Sequence, residues 1–348
     1  MSLPPPDTPR SSGSASSPLS ASPGVPDSPP VPGSPSWSPV LHSATPLAGR
    51  VAIVTGAGQG LGAAEASALA AAGTHVVVND LAGPALDAVV EQIRATGGSV
   101  VACPGDVADW PTGEALIKTA VETFGGLDVL VNNAGVLRDR MIFSMSEQEW
   151  DTVVRVHLRG HFVTSRFATA WWRDRSKETG GPVYARIINT ASEAFLLGSA
   201  GQPNYAAAKG GIVSLTLATA RGCLKHGVRV NAICPRARTA MTGELMGPAP
   251  DGLDPLSPDR VTPLVVHLAG PAGALITGEI FVVHGDVVAL MGPPTVRAVF
   301  HAAAGHWTDL ELDAALSTVF TSDPPRPGFV CEETIPLAES TFGESPSP

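Results

Sequence analysis

VAIVTGAGQGLGAAEASALAAAGTHVVVND, residues 51–80, is the stretch that decides the fold. It opens with an apolar, partly β-branched run suited to a strand buried on both faces. Gly56, Gly60 and Gly62 follow at the turn into a helix expected from Gly60. With side chains missing there, the backbone around Gly56, Gln59, Gly60, Leu61 and Gly62 can approach a pyrophosphate, and the helix start offers N–H groups and partial positive charge to that anion. A second apolar run ends in Asp80, twenty residues after Gly60, where a carboxylate can accept hydrogen bonds from a ribose 2′-hydroxyl. The same carboxylate repels a 2′-phosphate, and no Arg or Lys lies between Gly56 and Asp80. The expected cofactor is therefore NAD rather than NADP.

Outward from this unit the pattern repeats. After THVVVN come a helix from Pro84, the run SVVAC, a helix from Asp109, the run LDVLV and a long helix from about Glu147 to Arg173. Then follow ARIINT, a helix through Tyr205 to Lys225, VRVNAI, a short helix from about Asp259 to Leu268, and EIFVV. Strands alternating with helices describe an α/β protein with a doubly wound parallel sheet. Strand C-termini face the ligand crevice in such a sheet. Asp106 and Val107 after the third strand, and Asn132, Asn133, Ala134 and Gly135 after the fourth, are therefore further candidates for cofactor contact.

The chain has 348 residues and a net charge of −10, a balance that opposes non-specific attraction to nucleic acid or anionic membrane. The apolar stretch from Val261 to Met291 is interrupted by Pro263, His267, Pro271, Glu279, His284 and Asp286, which favours a buried helix and strand over a membrane span. Cys103, Cys223, Cys234 and Cys331 show no paired or metal-ligand spacing, as expected of reduced thiols in a cytoplasmic protein without a metal site. Residues 1–46, rich in Ser, Pro and Gly, are expected to be a disordered tail without the features of a signal peptide, either dispensable or the product of a start assigned too far upstream. The main domain is read as 47–290, a helical appendage as 291–321 on the spacing of Trp307, Leu310, Leu312 and Leu316, and a fraying tail as 322–348.

The chemistry is expected from NYAAAKGG, which holds Tyr205 and Lys209 one helical turn apart, and from Ser192, thirteen residues before the tyrosine. The chain has only two tyrosines, Tyr184 and Tyr205. A free phenol titrates near ~10, and a fixed ammonium nearby favours the phenolate. Tyr205 would then give or take a proton while the Ser192 hydroxyl bonds a substrate oxygen. Ser192 stands in TASEA, not in a G-x-S-x-G elbow, which disfavours a serine hydrolase.

Taken together, TGAGQGLG, Asp106, NNAG, Ser192, Tyr205 with Lys209, and NAICP near Asn231 resemble the short-chain dehydrogenase/reductase family over about residues 47–290. The resemblance implies a Rossmann fold and a homodimer or homotetramer. It also implies Tyr205 as general acid/base, Lys209 lowering its pKa and holding the nicotinamide ribose, and Ser192 positioning the substrate oxygen. VVVNDLAG, LRDRMIFSMSEQEWD, VHLRGHF and ARTAMT are similar to 3-hydroxyacyl-CoA dehydrogenase domains of multifunctional β-oxidation enzymes, a branch that includes hydroxysteroid-active members.

The sequence departs from the family pattern twice. His157 stands where many members carry a water-holding asparagine, and it either joins the proton relay or merely packs. Arg236 replaces a common glycine after Pro235. The reaction implied is NAD-dependent interconversion of a secondary alcohol and a ketone. The alternatives are a 3-oxoacyl-carrier-protein reductase and a catalytically inactive NAD-binding protein. Phe195, Leu196, Leu197, Met241, Leu245 and Met246 could wall an acyl chain or sterol, or simply pack a lid. Arg138, Arg140 and Arg159 could meet CoA phosphates or remain solvated.

Overall fold

Buried strands that alternate with helices along the chain assemble into one eight-stranded sheet. The computed structural model describes residues 45–321, apart from the side chains of Glu244 and Leu245. In chain order the elements are β1 (Val51–Thr55), α1 (Gly60–Ala71), β2 (His75–Asn79), α2 (Pro84–Ala95), β3 (Val100–Ala102), α3 (Trp110–Phe124) and β4 (Val129–Asn132). The second half contains α4 (Glu147–Val154), α5 (Gly160–Thr179), β5 (Ala185–Thr190), α6 (Ala194–Leu197), α7 (Pro203–Cys223) and β6 (Val228–Pro235). It closes with α8 (Gly243–Met246), α9 (Thr262–Ala269), β7 (Ile280–His284), β8 (Val287–Leu290) and α10 (Asp309–Ser317).

The strand order is β3-β2-β1-β4-β5-β6-β7-β8, with every neighbouring pair parallel except β7 and β8. From β1 the chain builds one way to β3 and then returns to add β4 on the opposite side. That reversal opens a crevice beyond the C-terminal ends of β1 and β4. Every residue of β1, β4 and β5 is buried, as parallel strands covered by helices on both faces must be. One apolar layer joins the sheet to residues of α1, α2 and α9, and the other joins it to α3 and α5 around the fully buried Trp172. The Trp172 indole N–H donates to the Leu127 carbonyl at 2.7 Å, so the polar edge of this core residue is satisfied.

The expected doubly wound sheet is present, with local differences. The long helix expected from Glu147 is divided into α4 and α5 by a π-helical turn, Arg155–Arg159, and runs on to Thr179. The helix expected near Asp259 is a 3₁₀ turn at Pro258–Arg260 followed by α9. Strand β8 was not anticipated. It is a short antiparallel return from β7 with alternating partial burial, a weak signal beside the continuous apolar runs. Helix α10 lies within the expected appendage, and none of its residues is buried. Residues 1–44 and 322–348, including Cys331, lie outside the described residues. Leu47, just past the expected tail, is fully buried.

Candidate active site

The glycine turn is shaped by two residues in the left-handed region, Gly56 at φ 64° and Gly60 at φ 56°, where glycine carries no Cβ penalty. A Cβ on Gly56 would lie 2.6 Å from Ala134 Cα, so the turn after β1 presses directly on the loop after β4. Gly62 has another role. Its Cβ would lie 2.2 Å from the Gly56 carbonyl oxygen, and it packs α1 under the turn without lining the crevice. The N-cap of α1, Gln59, makes no side-chain capping bond, so the first-turn N–H groups have no side-chain acceptor. Gly56, Gln59, Gly60 and Leu61 all line a cleft of about 400 Å³. This is a backbone cradle of the kind an anion fits.

Asp80 lines the same cleft beyond β2. One carboxylate oxygen accepts the Gly58 N–H at 2.9 Å and the other accepts the Leu81 N–H at 2.7 Å. A carboxylate has about four lone-pair sites, so acceptor capacity remains for a ligand hydroxyl. Asp106 and Val107 also line the cleft. Burial pushes the Asp106 carboxyl up, but the hydrogen bond from Arg155 and the N–H of Ala108 prevail and hold it below its usual range. Arg155 bridges Asp106 and Asp109 at 2.6 Å each.

Successive residues at the end of β4 face opposite ways. The Asn133 amide donates to the carbonyls of Thr55 and Gly56, at 3.1 and 3.2 Å, and braces the glycine turn. Ala134 and Gly135 line the cleft beside it. Asn132, expected to contact cofactor, is instead buried beneath the cleft. Its amide donates to Ser165 and Asn189 and its oxygen accepts from Thr164 at 2.6 Å, so every polar contact it makes is internal.

At the other end of the cleft, α7 is anchored by buried Asn204, whose amide donates to the carbonyls of Arg138 and Glu149 and whose oxygen accepts the Tyr205 N–H. The anchor presents Tyr205 and Lys209 to the cleft on one helix face. The Lys209 Nζ lies 5.4 Å from the centre of the Tyr205 ring, donates to the Thr190 carbonyl, and belongs to a side chain only 2% exposed. Burial lowers the Lys209 pKa to about 7. Burial also raises the Tyr205 pKa to about 12, with Cys234 and Asp139 acting in the same direction and the Ser192 hydroxyl acting against it. The expectation that Lys209 draws the phenol down is thus corrected for the free protein: desolvation, which favours both neutral forms, is the larger effect.

Ser192 is absent from the cleft lining itself, and its Oγ accepts the Ala194 N–H at 3.2 Å. His157 sits in the π turn, 1% exposed, edge-on to the Tyr205 ring at 5.1 Å between centroids. Such turns recur at functional sites. Its Nε2 lies against the backbone of Val136, with the N–H at 3.0 Å and the carbonyl at 2.8 Å, and its Nδ1 has no partner. A Cβ on Gly135 would fall 2.2 Å from the His157 ring. Burial, reinforced by Lys209, holds His157 well below the usual histidine range.

Sequence reasoning missed His161, which burial and then Lys209 bring down to about 3 and whose Nε2 also lacks a partner. Its position four residues after His157 was the available signal. It also missed Thr190, the acceptor for Lys209. Of the apolar candidates, Met241 lines the cleft, together with Ala237, Thr239, Ala240 and Thr242, whereas Phe195 packs against the core. The arginines suggested for phosphate contact do not line the cleft. Arg140 pairs with Glu149, Arg159 donates to the Ala108 carbonyl, and Arg138 donates to the Leu137 carbonyl.

Comparison with known proteins agrees with this architecture. A family model described as short chain dehydrogenase matches residues 50–247. The hydroxyacyl-CoA dehydrogenase ChsB1 of Mycobacterium tuberculosis is 50% identical over 303 residues, covering 84% of this chain and 95% of that protein. The peroxisomal multifunctional enzyme type 2 of Mus musculus is 43% identical over 229 residues, covering 63% of this chain and 30% of that enzyme. Among solved structures, a short chain dehydrogenase from Mycobacterium avium aligns with a TM-score of 0.73 at 45% identity, covering 82% of this chain and 99% of that one. With the glycine turn and Tyr205 lining one cleft beyond a doubly wound sheet, the chain belongs to the short-chain dehydrogenase/reductase family, oxidoreductases of CH–OH groups that use a nicotinamide dinucleotide.

Proposed function

We propose that this oxidoreductase interconverts the hydroxyl and ketone of a 3-hydroxyacyl-CoA thioester, with NAD as the hydride carrier. The observation that carries the reading is the continuity of the cleft, lined at one end by the glycine turn and Asp80 and at the other by His157, Tyr205 and Lys209. The substrate class is supported by 50% identity across nearly all of a hydroxyacyl-CoA dehydrogenase.

NAD fits the residues present. The uncapped start of α1 and the glycine turn suit a pyrophosphate, and Asp80 has lone pairs to spare for a ribose hydroxyl while repelling a 2′-phosphate. When bound, NAD supplies the hydride-accepting ring and, in its oxidised form, positive charge on that ring. Tyr205 takes the proton of the substrate hydroxyl, and Ser192 hydrogen-bonds the substrate oxygen. Lys209 donates to the Thr190 carbonyl and retains N–H donors for a ribose. His157 holds the Tyr205 ring edge-on. Burial that raises Tyr205 to about 12 also makes the phenol strongly responsive to any positive charge added beside it.

We read the assembly as a homodimer or homotetramer, supported by the part-exposed Trp110 and Phe162 that meet on the outside of α3 and α5. A cytoplasmic location is supported by the free thiols of Cys103, Cys223 and Cys234.

The test is turnover of a panel of 3-hydroxyacyl-CoA, hydroxysteroid and hydroxyacyl-carrier-protein substrates, followed as nicotinamide reduction with NAD and with NADP. The expected result is the highest kcat/KM for the CoA thioester with NAD. A higher value for the carrier-protein thioester would replace the substrate assignment with that of the Synechocystis 3-oxoacyl-[acyl-carrier-protein] reductase, 39% identical over 251 residues. Nucleotide binding with no turnover of any alcohol would leave only a binding protein.

A further inference from the structure

We infer that Glu193 and Arg236 are positioning residues, whose ion pair ties the loop after β5 to the loop after β6 and thereby holds Ser192 against Tyr205. Arg236 donates from Nε to Glu193 Oε2 at 2.6 Å and from Nη2 to Oε1 at 2.7 Å, a two-bond fork that fixes direction as well as distance. The two side chains are 17% and 13% exposed. The exposed pair Lys118–Glu122 has side chains 68% and 66% exposed, and water competes far less for the fork than for such a pair.

The two partners are fixed very differently. The Arg236 backbone N–H donates to the Val283 carbonyl at 3.0 Å, so the arginine is anchored to β7 and the sheet. Glu193 is the N-cap of the short helix α6, and its carbonyl accepts the N–H groups of Leu196 and Leu197. Apart from the fork, every hydrogen bond described for residues 193–198 stays within 192–198. The sheet holds the chain before Ser192 through the Ala191 N–H, which donates to the Ile233 carbonyl at 2.7 Å, and beyond Ser192 the fork is the polar tether between this turn and the sheet.

Its placement is at the reacting end of the cleft. Pro235 and Ala237 flank Arg236 and line the cleft, and Ala191, which precedes Ser192, lines it too. The surrounding charges are Glu193, Arg236, Asp286 and Lys209, with the buried thiol of Cys234 and the buried imidazole of His284 facing them, while Tyr205 itself is faced by Lys209, His157, Cys234 and Asp139. Burial, then Arg236, hold His284 below the usual histidine range, and its Nε2 has no partner. Ser192 is the group that acts against the burial-raised pKa of Tyr205. Letting Ser192 drift therefore affects both the substrate oxygen and the base.

This inference rests on the roles proposed for Ser192 and Tyr205, and the experiment separates the two. A double-mutant cycle of Arg236→Ala, Glu193→Ala and the double variant is assayed with NAD and the best alcohol of the panel, alongside Ser192→Ala and Tyr205→Phe. Each single clamp variant is expected to lose about ten- to a hundredfold in kcat, the scale of a misplaced reacting group. The double variant is expected to lose no more than the worse single, with the KM for NAD within about twofold of wild type because the glycine turn is untouched. The rising limb of the alcohol-oxidation rate with pH should move to higher pH in all three, a shift that partial unfolding does not produce. Arg236→Lys, which keeps the charge without the fork, should recover part of kcat.

The positioning role is overturned if the folded double variant keeps wild-type kcat and pH profile, or if the single losses multiply in the double variant. If Ser192→Ala and Tyr205→Phe themselves keep full kcat, the reading on which it rests is what fails.

Discussion

The Asp80 end of the cleft is made from backbone and absent side chains, while the Tyr205 end is made from polar side chains buried among helices. At the first end the shaping groups are Gly56, Gly60 and the uncapped start of α1, with Asp80 itself held by two backbone N–H groups. At the second, Lys209, His157 and His161 are each no more than 2% exposed, and burial shifts all three toward their neutral forms. Damage should therefore take different forms. An added carbon blocks the first end, whereas loss of the Tyr205 hydroxyl disables the second and leaves the nucleotide bound.

Tyr205→Phe tests this separation with the largest expected effect. Loss of the proton acceptor should lower kcat about a thousandfold, within the range for general acid–base catalysis, while nucleotide affinity measured by fluorescence titration stays near wild type. Loss of nucleotide binding to the same degree would show that the two ends do not act independently. Tyr184, the only other tyrosine, is also raised by burial, so the difference in ultraviolet titration between wild type and Tyr205→Phe follows the Tyr205 phenol. Its signal should appear near pH 12 in the free protein and move to lower pH with oxidised nucleotide bound.

Glu65 complicates the comparison, because it is a buried carboxyl in the otherwise backbone-built half. It lies in α1, fully buried, with neither carboxylate oxygen partnered, and burial raises its pKa to about 8. The folded pKa lies above the unfolded one, so folding takes up a proton. The resulting stability is fully present below the unfolded pKa of 4.5 and is lost as pH rises through about 8. Glu65→Gln should remove this dependence, which amounts to something on the order of 3 kcal/mol between acid and neutral pH. The check is chemical denaturation at a series of pH values. An unchanged slope would place a partner for the carboxylate in the protein in solution.

Gly62→Ala should cost about 1–3 kcal/mol, as overpacking does. The new Cβ would meet the Gly56 carbonyl at 2.2 Å and the Asn133 amide at 2.5 Å, so the cradle itself must move. Thermal unfolding and nucleotide titration should fall together, with kcat at saturating nucleotide the least affected quantity. A large fall in kcat with affinity preserved would mean that strain at the glycine turn reaches Tyr205.

The sequence made these two halves legible to different depths for physical reasons. The glycine turn and the offset to Asp80 are local backbone patterns, and the one-turn spacing of Tyr205 and Lys209 survives folding because a helix preserves it. The π turn at His157 adds no apolar signal, and helical periodicity runs straight through it. The different roles of Asn132, the last residue of β4, and Asn133, the first beyond it, depend on where the strand ends and which way each side chain then turns, which NNAG alone does not tell. The rise of the Tyr205 pKa and the fall of the Lys209 pKa depend on burial by distant elements. The Glu193–Arg236 fork joins residues 43 apart in the chain, a separation no local motif encodes.

Asp80→Ala probes the smallest effect, because two roles of one carboxylate must be told apart. The side chain accepts the N–H groups of Gly58 and Leu81, and its remaining lone pairs face the cleft. If it discriminates between nucleotides, its loss should weaken NAD and improve NADP, reducing the ratio of kcat/KM values about tenfold, roughly 1.4 kcal/mol. If it only braces the turn, both nucleotides should weaken alike and the ratio should hold. Asp80→Asn sharpens the distinction: its amide oxygen can still accept one backbone N–H, but the repulsion of a 2′-phosphate is gone. A change in ratio shared by Ala and Asn, with the loss of thermal stability smaller for Asn because one of the two N–H acceptors remains, would assign selectivity to the charge and the brace to the oxygen. The same pair would then show that even the backbone-built end of the cleft depends on one side chain for its choice of ligand.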